Sequence, residues 1–254
     1  MLDSSALKFT HYSDTRIFSK PGVTAGSSGP LMLASDTTGK KYIVKYTYCH
    51  NAANEFTACW LADKIGAPAP KAYLLKSDSK KFPVLYGVAI SYIDGLKPIN
   101  KEYLTEQMKK DLCAQIVLNK LINNTDTTQL GESNGHIYSI DFSESFGVLN
   151  NFFLYSFVRN DESSISYVNN ILDTFISTLS KTTFDSNHIA QQYKLDPVQA
   201  KADISNTAKK ILNITEDEIA ALTDELCQMY PSGYARYYEK CIHAMKDRIQ
   251  QLYG

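Results

Sequence analysis

The sequence has few cysteines, and none of them is placed to form a recognisable pair. Its 254 residues include five, an odd number without close spacing: Cys49, Cys59, Cys113, Cys227 and Cys241. A disulfide framework or a cysteine zinc site needs pairs at short, regular intervals, so neither organises this fold. We therefore expect a chain that works in a reducing compartment.

The sequence also lacks a long apolar run and a strong charge of either sign. No apolar stretch approaches the roughly 20 residues of a membrane-spanning helix, and "MLDSSALKFTHYSDTR" at the start has no signal-peptide core. The net charge is −1 and the pI is about 6.5. We expect no membrane span, no direct nucleic-acid partner and a cytoplasmic location, or export as an effector without a cleaved signal.

The first 95 residues carry strand patterns around a single helix. "LMLAS" and "KYIVKYTY" are β-rich runs joined by the turn signal "DTTGK". In "NAANEFTACWLADKIG" the apolar residues recur at helical spacing, and Gly66 is a plausible stop. "APAPKAYLLKS" and "FPVLYGVAISYIDG" return to strand patterns. We predict the order strand–strand–helix–strand–strand.

The rest of the chain is mostly helical in pattern. "KEYLTEQMKKDLCAQIVLNKLI" is amphipathic, and four more helices are predicted after about residue 165. The last, "YARYYEKCIHAMKDRIQQLY", is tyrosine-rich, and we interpret it as packing on this helical part rather than binding a partner. With a joint near "DGLKPIN", the predicted fold class is α+β and bilobal. It has a protein-kinase-like N-lobe (residues 1–95, hinge at its end) and a helical C-lobe (residues 96–254) with the catalytic loop and the metal-binding segment.

Phosphoryl transfer needs a cover over the phosphates, a cation on them and an anion that holds this cation. "GVTAGSSGP" offers flexible backbone N–H groups, although a surface turn has the same pattern. Lys45 shares a strand face with Ile43, where an unpaired lysine is costly; alternatively it reaches solvent from a strand end. Glu55, ten residues later, is its natural partner, although alone it is typical of a surface acid near a helix N-terminus.

Two aspartates complete this set. Asp141 ends the apolar-alternating run "HIYSIDF", where a strand-end carboxylate suits Mg²⁺. Asp126, fifteen residues upstream, lies on a polar loop, where it would orient an acceptor hydroxyl. Each aspartate alone is more often a turn residue. Their order after the glycine loop, the lysine and the glutamate favours a phosphotransferase.

These motifs resemble the HipA-like kinases, bacterial relatives of the protein-kinase and phosphatidylinositol-kinase fold. "GSSGPLMLASDTTGKKYIVKY", "NEFTACWLADKIGAPAP" and "NNTDTTQLGESNGHIYSIDFSESFG" are similar to the family's motifs in the same order. The resemblance implies ATP and Mg²⁺ as cofactors. In the implied site, the phosphates are covered by Gly26, Ser27, Ser28 and Gly29. Lys45 binds the phosphates and is anchored by Glu55, and the adenine hinge is formed by Ser91, Tyr92 and Ile93. Asp126 is the implied catalytic aspartate, and Asp141 is the implied principal magnesium ligand. In some relatives a serine of the glycine loop is autophosphorylated, which here would be Ser27 or Ser28.

The sequence departs from the family at the loop after Asp126. The family has a basic residue near this point and a metal-binding asparagine five residues after the aspartate. Here Thr127 and Thr128 follow, and position 131 is glycine. Gln129 or Asn134 would have to supply the missing amide oxygen to the metal.

Three functions follow from these patterns. The first is an ATP- and magnesium-dependent kinase for Ser/Thr hydroxyls of a protein substrate, with autophosphorylation in the glycine loop. The second is a pseudokinase, a nucleotide-binding interaction module, which the altered "DTTQLG" favours. The third is a lipid or small-molecule kinase, because "GHIYSIDF" echoes the phosphatidylinositol-kinase pattern. A regulatory or antitoxin-like partner is compatible with each.

Overall fold

The computed structural model describes residues 1–3, 6–10, 31–46, 49–76, 86–126, 129–147 and 162–254. The strands in these ranges are β1 Leu2–Asp3, β2 Lys8–Thr10, β3 Leu31–Ser35, β4 Lys41–Tyr46, β5 Ala72–Lys76, β6 Tyr86–Ser91, β7 Lys97–Pro98, β8 Gln129–Ser133 and β9 His136–Ile140. The helices are α1 Cys49–Ile65, α2 Glu106–Leu121, α3 Glu162–Lys181, α4 Ser186–Tyr193, α5 Pro197–Lys209, α6 Glu216–Cys227 and α7 Ser232–Tyr253, with a 3₁₀ turn at Lys210–Asn213.

Two sheets are formed by these described strands. The larger has the order β1-β5-β6-β4-β3-β2, with β1 parallel to β5 and the other neighbours antiparallel. The smaller is antiparallel, in the order β7-β8-β9. β4 therefore lies inside the larger sheet, where its register places Lys45 opposite Leu31 on β3 and Val88 on β6.

The helix α1 is buried between the larger sheet and the helical part of the chain. Its residues 51–59 are all buried, and its apolar side chains belong to a core cluster shared with β5, β6, α2 and the C-terminal helices. The helix stops at Gly66, as predicted: the φ angle there is +73° and Ala67 N–H donates to Ala62 O at 2.9 Å. Because residues 51–59 of this helix have no solvent face, their polar side chains need partners inside the protein.

The predicted fold class is confirmed: a β-rich N-terminal part with one helix precedes a mostly helical part. The strand–strand–helix–strand–strand order corresponds to β3, β4, α1, β5 and β6, although residues 82–85 of the last predicted strand region lie outside the described ranges. The long helix begins at Glu106, later than its pattern predicted, because the Thr105 hydroxyl accepts from Met108 N–H and caps it. Among the described helices, none has the length and apolar character to cross a membrane.

Short or polar elements escaped prediction. The strand β8, "QLGES", was interpreted as part of a polar loop, since it lacks apolar alternation. The helix α4 has only eight residues, and its Asp185 cap was not recognised. The tyrosine-rich helix α7 does pack inward as interpreted, with Tyr234, Tyr237 and Tyr238 fully buried.

Asp36 holds the turn between β3 and β4, which fixes the register of Lys45. Its Oδ1 accepts from the N–H groups of Thr38 at 2.9 Å and Lys40 at 3.0 Å, and Tyr42 Oη donates to its Oδ2 at 2.9 Å. Gly39 supplies the left-handed residue of the turn, with φ +86°. The Thr38 hydroxyl, followed by Tyr42 and the backbone donors, lowers the pKa of Asp36 to about 2, against a smaller opposing effect of burial.

We expect Asp36→Ala to lower the thermal unfolding temperature at neutral pH, because the turn loses its acceptors. The Asp36 pKa is about 2 in the folded protein and near 3.8 without these donors. The charged form therefore stabilises the fold above the higher value, and its contribution is lost as the pH falls through the lower one. Thermal unfolding followed by circular dichroism should show that the difference in unfolding temperature between wild type and Asp36→Ala decreases as the pH falls between these two pKa values. A constant gap, or an equal effect of Asp173→Ala on α3, would contradict the role of this charge.

Candidate active site

The centre of the candidate site is the ammonium group of Lys45. It lies 3.1 Å from Glu55 Oε2 and 3.0 Å from Asp141 Oδ1. The sheet supplies the lysine, the buried helix α1 supplies Glu55, and the end of β9 supplies Asp141. Three residues predicted from separate motifs are thus brought together in one charge cluster.

Burial and charge act on these three groups in opposite directions. Burial lowers the pKa of Lys45, but the carboxylates of Glu55 and Asp141 outweigh it and raise that pKa above its ordinary value. Burial raises the pKa of the fully buried Glu55, and Lys45 offsets part of this increase. Burial also raises the pKa of Asp141, but Lys45 and the Ser143 hydroxyl more than compensate, so it lies below its ordinary value. Lys45 and Asp141 are therefore charged at neutral pH.

Asp141 has a strained backbone. Its φ angle is +67°, in the left-handed region that non-glycine residues rarely adopt, and Phe146 in the same segment has φ +60°. Such a conformation costs about 1–3 kcal/mol per residue and persists only when its surroundings hold it. The hydrogen bonds described for the Asp141 side chain, from Lys45 and from Ser143 Oγ at 2.9 Å, both end on Oδ1. The Ser143 backbone N–H also donates to this carboxylate, which is therefore held by its own segment as well as by Lys45.

One face of α1 binds residues 141–146, which we call the 141–146 segment. The helix residues involved, at positions 51, 54 and 55, lie on one face of the helix, and they meet consecutive residues of the segment. The three contacts run from Phe142 N–H to Glu55 Oε2 at 3.0 Å, from Asn54 Nδ2 to Ser143 O at 2.8 Å, and from Asn51 Nδ2 to Glu144 Oε1 at 3.5 Å. Three buried polar residues of α1, Asn51, Asn54 and Glu55, thus find partners in the strained segment.

Asp126 lies on an exposed loop that is joined to the same segment. Its N–H donates to Asn124 Oδ1 at 3.2 Å, and the preceding residue, Thr125, donates from both its N–H and its hydroxyl to Glu144 O at 3.0 Å. The two aspartates of the sequence prediction are therefore linked through Thr125 and the 141–146 segment. The carboxylate of Asp126 remains exposed to solvent.

Glu144 is a site residue that sequence reasoning missed. Burial, followed by repulsion from Asp126 and from Asp141, raises its pKa. It is therefore a third carboxylate within electrostatic range of the two aspartates. Its position three residues after Asp141 was visible in the sequence, but an acid in a polar turn carries no signal of its own.

Gln129 and Asn134, the two residues predicted to replace the missing metal-binding asparagine, lie at opposite ends of the β8–β9 hairpin. Gln129 pairs with Ile140 across the β8–β9 hairpin, next to Asp141. Asn134 is in the turn at the other end of this hairpin, roughly 16 Å of strand away from Asp141. Asn134 is therefore far from a metal held by Asp141. The prediction of Asn134 as a ligand rested on chain spacing, which does not account for the direction of the hairpin.

The structure leaves little space for a side chain at position 131. A Cβ atom built on Gly131 would lie 2.6 Å from Leu96 Cδ1 and 2.8 Å from Leu96 Cγ. An asparagine would thus need Leu96 to move from its place beside β8. Leu96 therefore packs closely on the hairpin where a side chain at position 131 would lie.

Of the three residues predicted as the adenine hinge, Ser91 and Tyr92 have backbone N–H groups that already donate hydrogen bonds within the protein. Ser91 N–H donates to Lys71 O at 2.8 Å, and Tyr92 N–H donates to Lys41 O at 3.0 Å. The described hydrogen bonds assign no acceptor to the N–H of Ile93. The glycine-loop residues Gly26, Ser27, Ser28 and Gly29 lie outside the described residues, as do Thr127 and Thr128.

The oxygen atoms next to Lys45 are of the chemical type that a hard divalent cation prefers as ligands. Within the described residues, no group of three His, Cys, Asp or Glu side chains is already arranged around a metal position. However, Asp141 and Glu144 offer carboxylate oxygens, and the buried Oδ1 of Asn51, beside Glu144, has no hydrogen-bond partner in the described part of the chain. Oxygen ligands of this kind suit Mg²⁺ and Mn²⁺.

We expect Lys45→Met to destabilise the protein by about 3–5 kcal/mol, because it leaves the carboxylate of Glu55 buried without a cation. Urea unfolding measures this change. The double variant Lys45→Met/Glu55→Leu should recover part of the loss, since the fully buried carboxylate is removed together with its cation.

The matched control is Lys64→Met, which removes the partly exposed Lys64–Glu218 pair of the same helix. Such surface pairs contribute about 0–1 kcal/mol. Equal costs for Lys45→Met and Lys64→Met would show that the Lys45 cluster is not a coupled buried pair.

No family model and no curated protein matches the sequence. Among solved structures, the chain is similar to the proinflammatory kinase CtkA of Helicobacter pylori, with 13% sequence identity, a TM-score of 0.49 and 99% of each chain covered. It is also similar to the Golgi casein kinase, solved with Mn and ADP bound. There the identity is 11%, the TM-score is 0.45, and the match covers 90% of this chain and 70% of that one.

Proposed function

We propose that the chain is an ATP- and divalent-metal-dependent kinase that phosphorylates Ser or Thr hydroxyls of a protein. The observation that carries the proposal is the Lys45 ammonium, within 3.1 Å of Glu55 and 3.0 Å of Asp141. A lysine with only a structural role would be satisfied by one buried carboxylate. The second carboxylate, that of Asp141, is suited to hold a cation next to bound phosphate, because it lies at a strained strand end and is partly open to solvent.

Lys45 and Glu55 would bind the nucleotide phosphates. The ammonium is fixed by the sheet on one side and by Glu55 on the other, so it can meet the phosphate charge without reorganising. Because Glu55 is buried and also accepts from Phe142 N–H, it keeps the lysine and the 141–146 segment in one arrangement. The N–H of Ile93 would bind the adenine edge.

Asp141 and Glu144 would hold the divalent cation, together with the amide oxygen of Asn51 or Gln129. The cation, when bound, neutralises phosphate charge during transfer. Gly131 cannot supply the usual amide, which is why the proposal turns to Asn51, whose buried oxygen lies beside Glu144.

Asp126 would orient the acceptor hydroxyl. Its carboxylate is on an exposed loop, so the hydroxyl of a large substrate can reach it. This exposure supports a protein acceptor over a small molecule enclosed in a deep pocket. A lipid acceptor, suggested by the "GHIYSIDF" pattern, is one outcome of the test below.

A second candidate function is a nucleotide-binding interaction module without transfer activity. The packing of Leu96 against Gly131 favours it, since one conventional metal ligand is excluded. The two functions share the nucleotide site and differ in whether phosphate leaves ATP.

The kinase is tested by incubating the protein with γ-labelled ATP and Mg²⁺ or Mn²⁺. Three acceptors are offered: the protein itself, a mixture of Ser/Thr peptides, and vesicles containing inositol lipids. We expect label on peptide Ser or Thr, and Asp141→Asn should reduce transfer by about 10²-fold or more.

Asp173→Asn, an exposed change on α3, should keep full transfer. Nucleotide binding without transfer to any acceptor would contradict the kinase and support the interaction module. Label on the lipid alone would overturn the protein substrate.

The role of Glu144 is tested by Mn²⁺ binding, measured by electron paramagnetic resonance with a non-hydrolysable ATP analogue present. Glu144→Gln keeps the shape and removes the charge, so we expect the Mn²⁺ affinity to fall by roughly 10-fold. Glu132→Gln on β8, which faces Lys97, is the control and should bind Mn²⁺ as wild type does. An unchanged affinity in Glu144→Gln would remove Glu144 from the metal site.

A further inference from the structure

The 141–146 segment is held from a second side, by the C-terminal helix α7. Tyr238 Oη donates to Asn54 Oδ1 at 2.6 Å, and Asn54 Nδ2 donates to Ser143 O at 2.8 Å. Tyr237 Oη donates to Phe146 O. All of these side chains are buried. Two successive tyrosines of the last helix therefore reach the segment that carries Asp141 and Glu144.

The direction of each hydrogen bond follows from the chemistry of the groups. The carbonyl of Ser143 can only accept, so the atom of Asn54 that faces it must be the amide nitrogen. The amide oxygen is then turned toward Tyr238, whose hydroxyl must donate to it. The hydroxyl of Tyr238 thereby fixes the orientation of the Asn54 amide, and this orientation fixes the hold on Ser143.

The segment needs such support because of its backbone. Asp141 and Phe146, at its two ends, have φ angles of +67° and +60°. Residues in this region return to commoner conformations unless the surroundings restrain them. The restraints lie at Phe142, Ser143 and Phe146, whose N–H also donates to Ile122 O at 2.6 Å.

We infer that Tyr238 and Asn54 are positioning residues for the metal-binding carboxylates. The helix α7, more than ninety residues after Asp141 in the chain, sets the position of Asp141 and Glu144 through the Asn54 amide. This inference rests on the proposed function for its catalytic meaning. The positioning itself can be measured without any phosphate transfer.

The central variant is Tyr238→Phe, which removes one hydroxyl and keeps the ring. Hydrogen exchange should become faster at the backbone amides of Phe142 and Phe146, and Mn²⁺ affinity should fall by roughly 10-fold. The affinity for a metal-free adenine nucleotide should stay unchanged, because Lys45 and the hinge are not moved. Tyr253→Phe, at the end of the same helix where the ring stacks on Phe184, is the matched control.

A second variant separates positioning from stability. Asn54→Leu removes both hydrogen bonds of the amide and should lower Mn²⁺ affinity as much as Tyr238→Phe does. Adding Tyr238→Phe to Asn54→Leu should cause no further loss, because the hydroxyl acts through the amide. In Tyr238→Phe the amide oxygen of Asn54 is left unpaired, and in the double variant the Ser143 carbonyl is left unpaired instead, so urea unfolding should show similar stabilities while metal affinity stays reduced in both.

The inference is overturned if exchange at Phe142 and Phe146 in Tyr238→Phe matches that in Tyr253→Phe. It is also overturned if exchange rises uniformly over the chain, since that reports general destabilisation. If wild type binds Mn²⁺ but transfers no phosphate, the proposed kinase fails and the affinity and exchange results still decide the positioning role. If wild type binds no Mn²⁺, the exchange at these amides decides it alone.

Discussion

The buried ammonium group of Lys45 constrains the rest of the structure. A charge inside a protein is costly by several kcal/mol unless it is paired, and Lys45 is paired with both Glu55 and Asp141. These three residues come from the middle of a sheet, a buried helix and the end of a distant hairpin. The relative positions of these three elements are therefore tied to one ion cluster.

The helix α1 connects this cluster to the remainder of the molecule. Its apolar residues join the sheet to the helical core, and its buried polar residues, Asn51, Asn54 and Glu55, all bind the 141–146 segment. The tyrosines of α7 reach that segment and the same helix from the other side. A strained segment that carries two carboxylates is thus restrained by helices from opposite ends of the chain, which accounts for how its backbone strain is tolerated.

Several features followed from local sequence patterns. Lys45 stood in an apolar strand, where an unpaired charge is costly, and this alone called for an acid such as Glu55 nearby. The Gly66 helix stop and the Asp36 turn likewise depend on short-range backbone rules. Asn134 was misplaced because counting residues gives no direction for a hairpin. Glu144 and Asn54 were missed because an acid in a turn and an asparagine in a helix are usually solvated.

Local patterns were sufficient to predict the order of the longer elements, the α+β class and the pairing of Lys45 with Glu55, since each follows from periodicity or from the cost of burying a charge. Three features appear only in the tertiary structure: residues 51–59 of α1 are all buried, Leu96 occupies the space that an asparagine at position 131 would need, and Tyr238 reaches Ser143 through Asn54. These are contacts between residues far apart in the chain. Their existence depends on how whole elements pack, which no local pattern of side chains specifies.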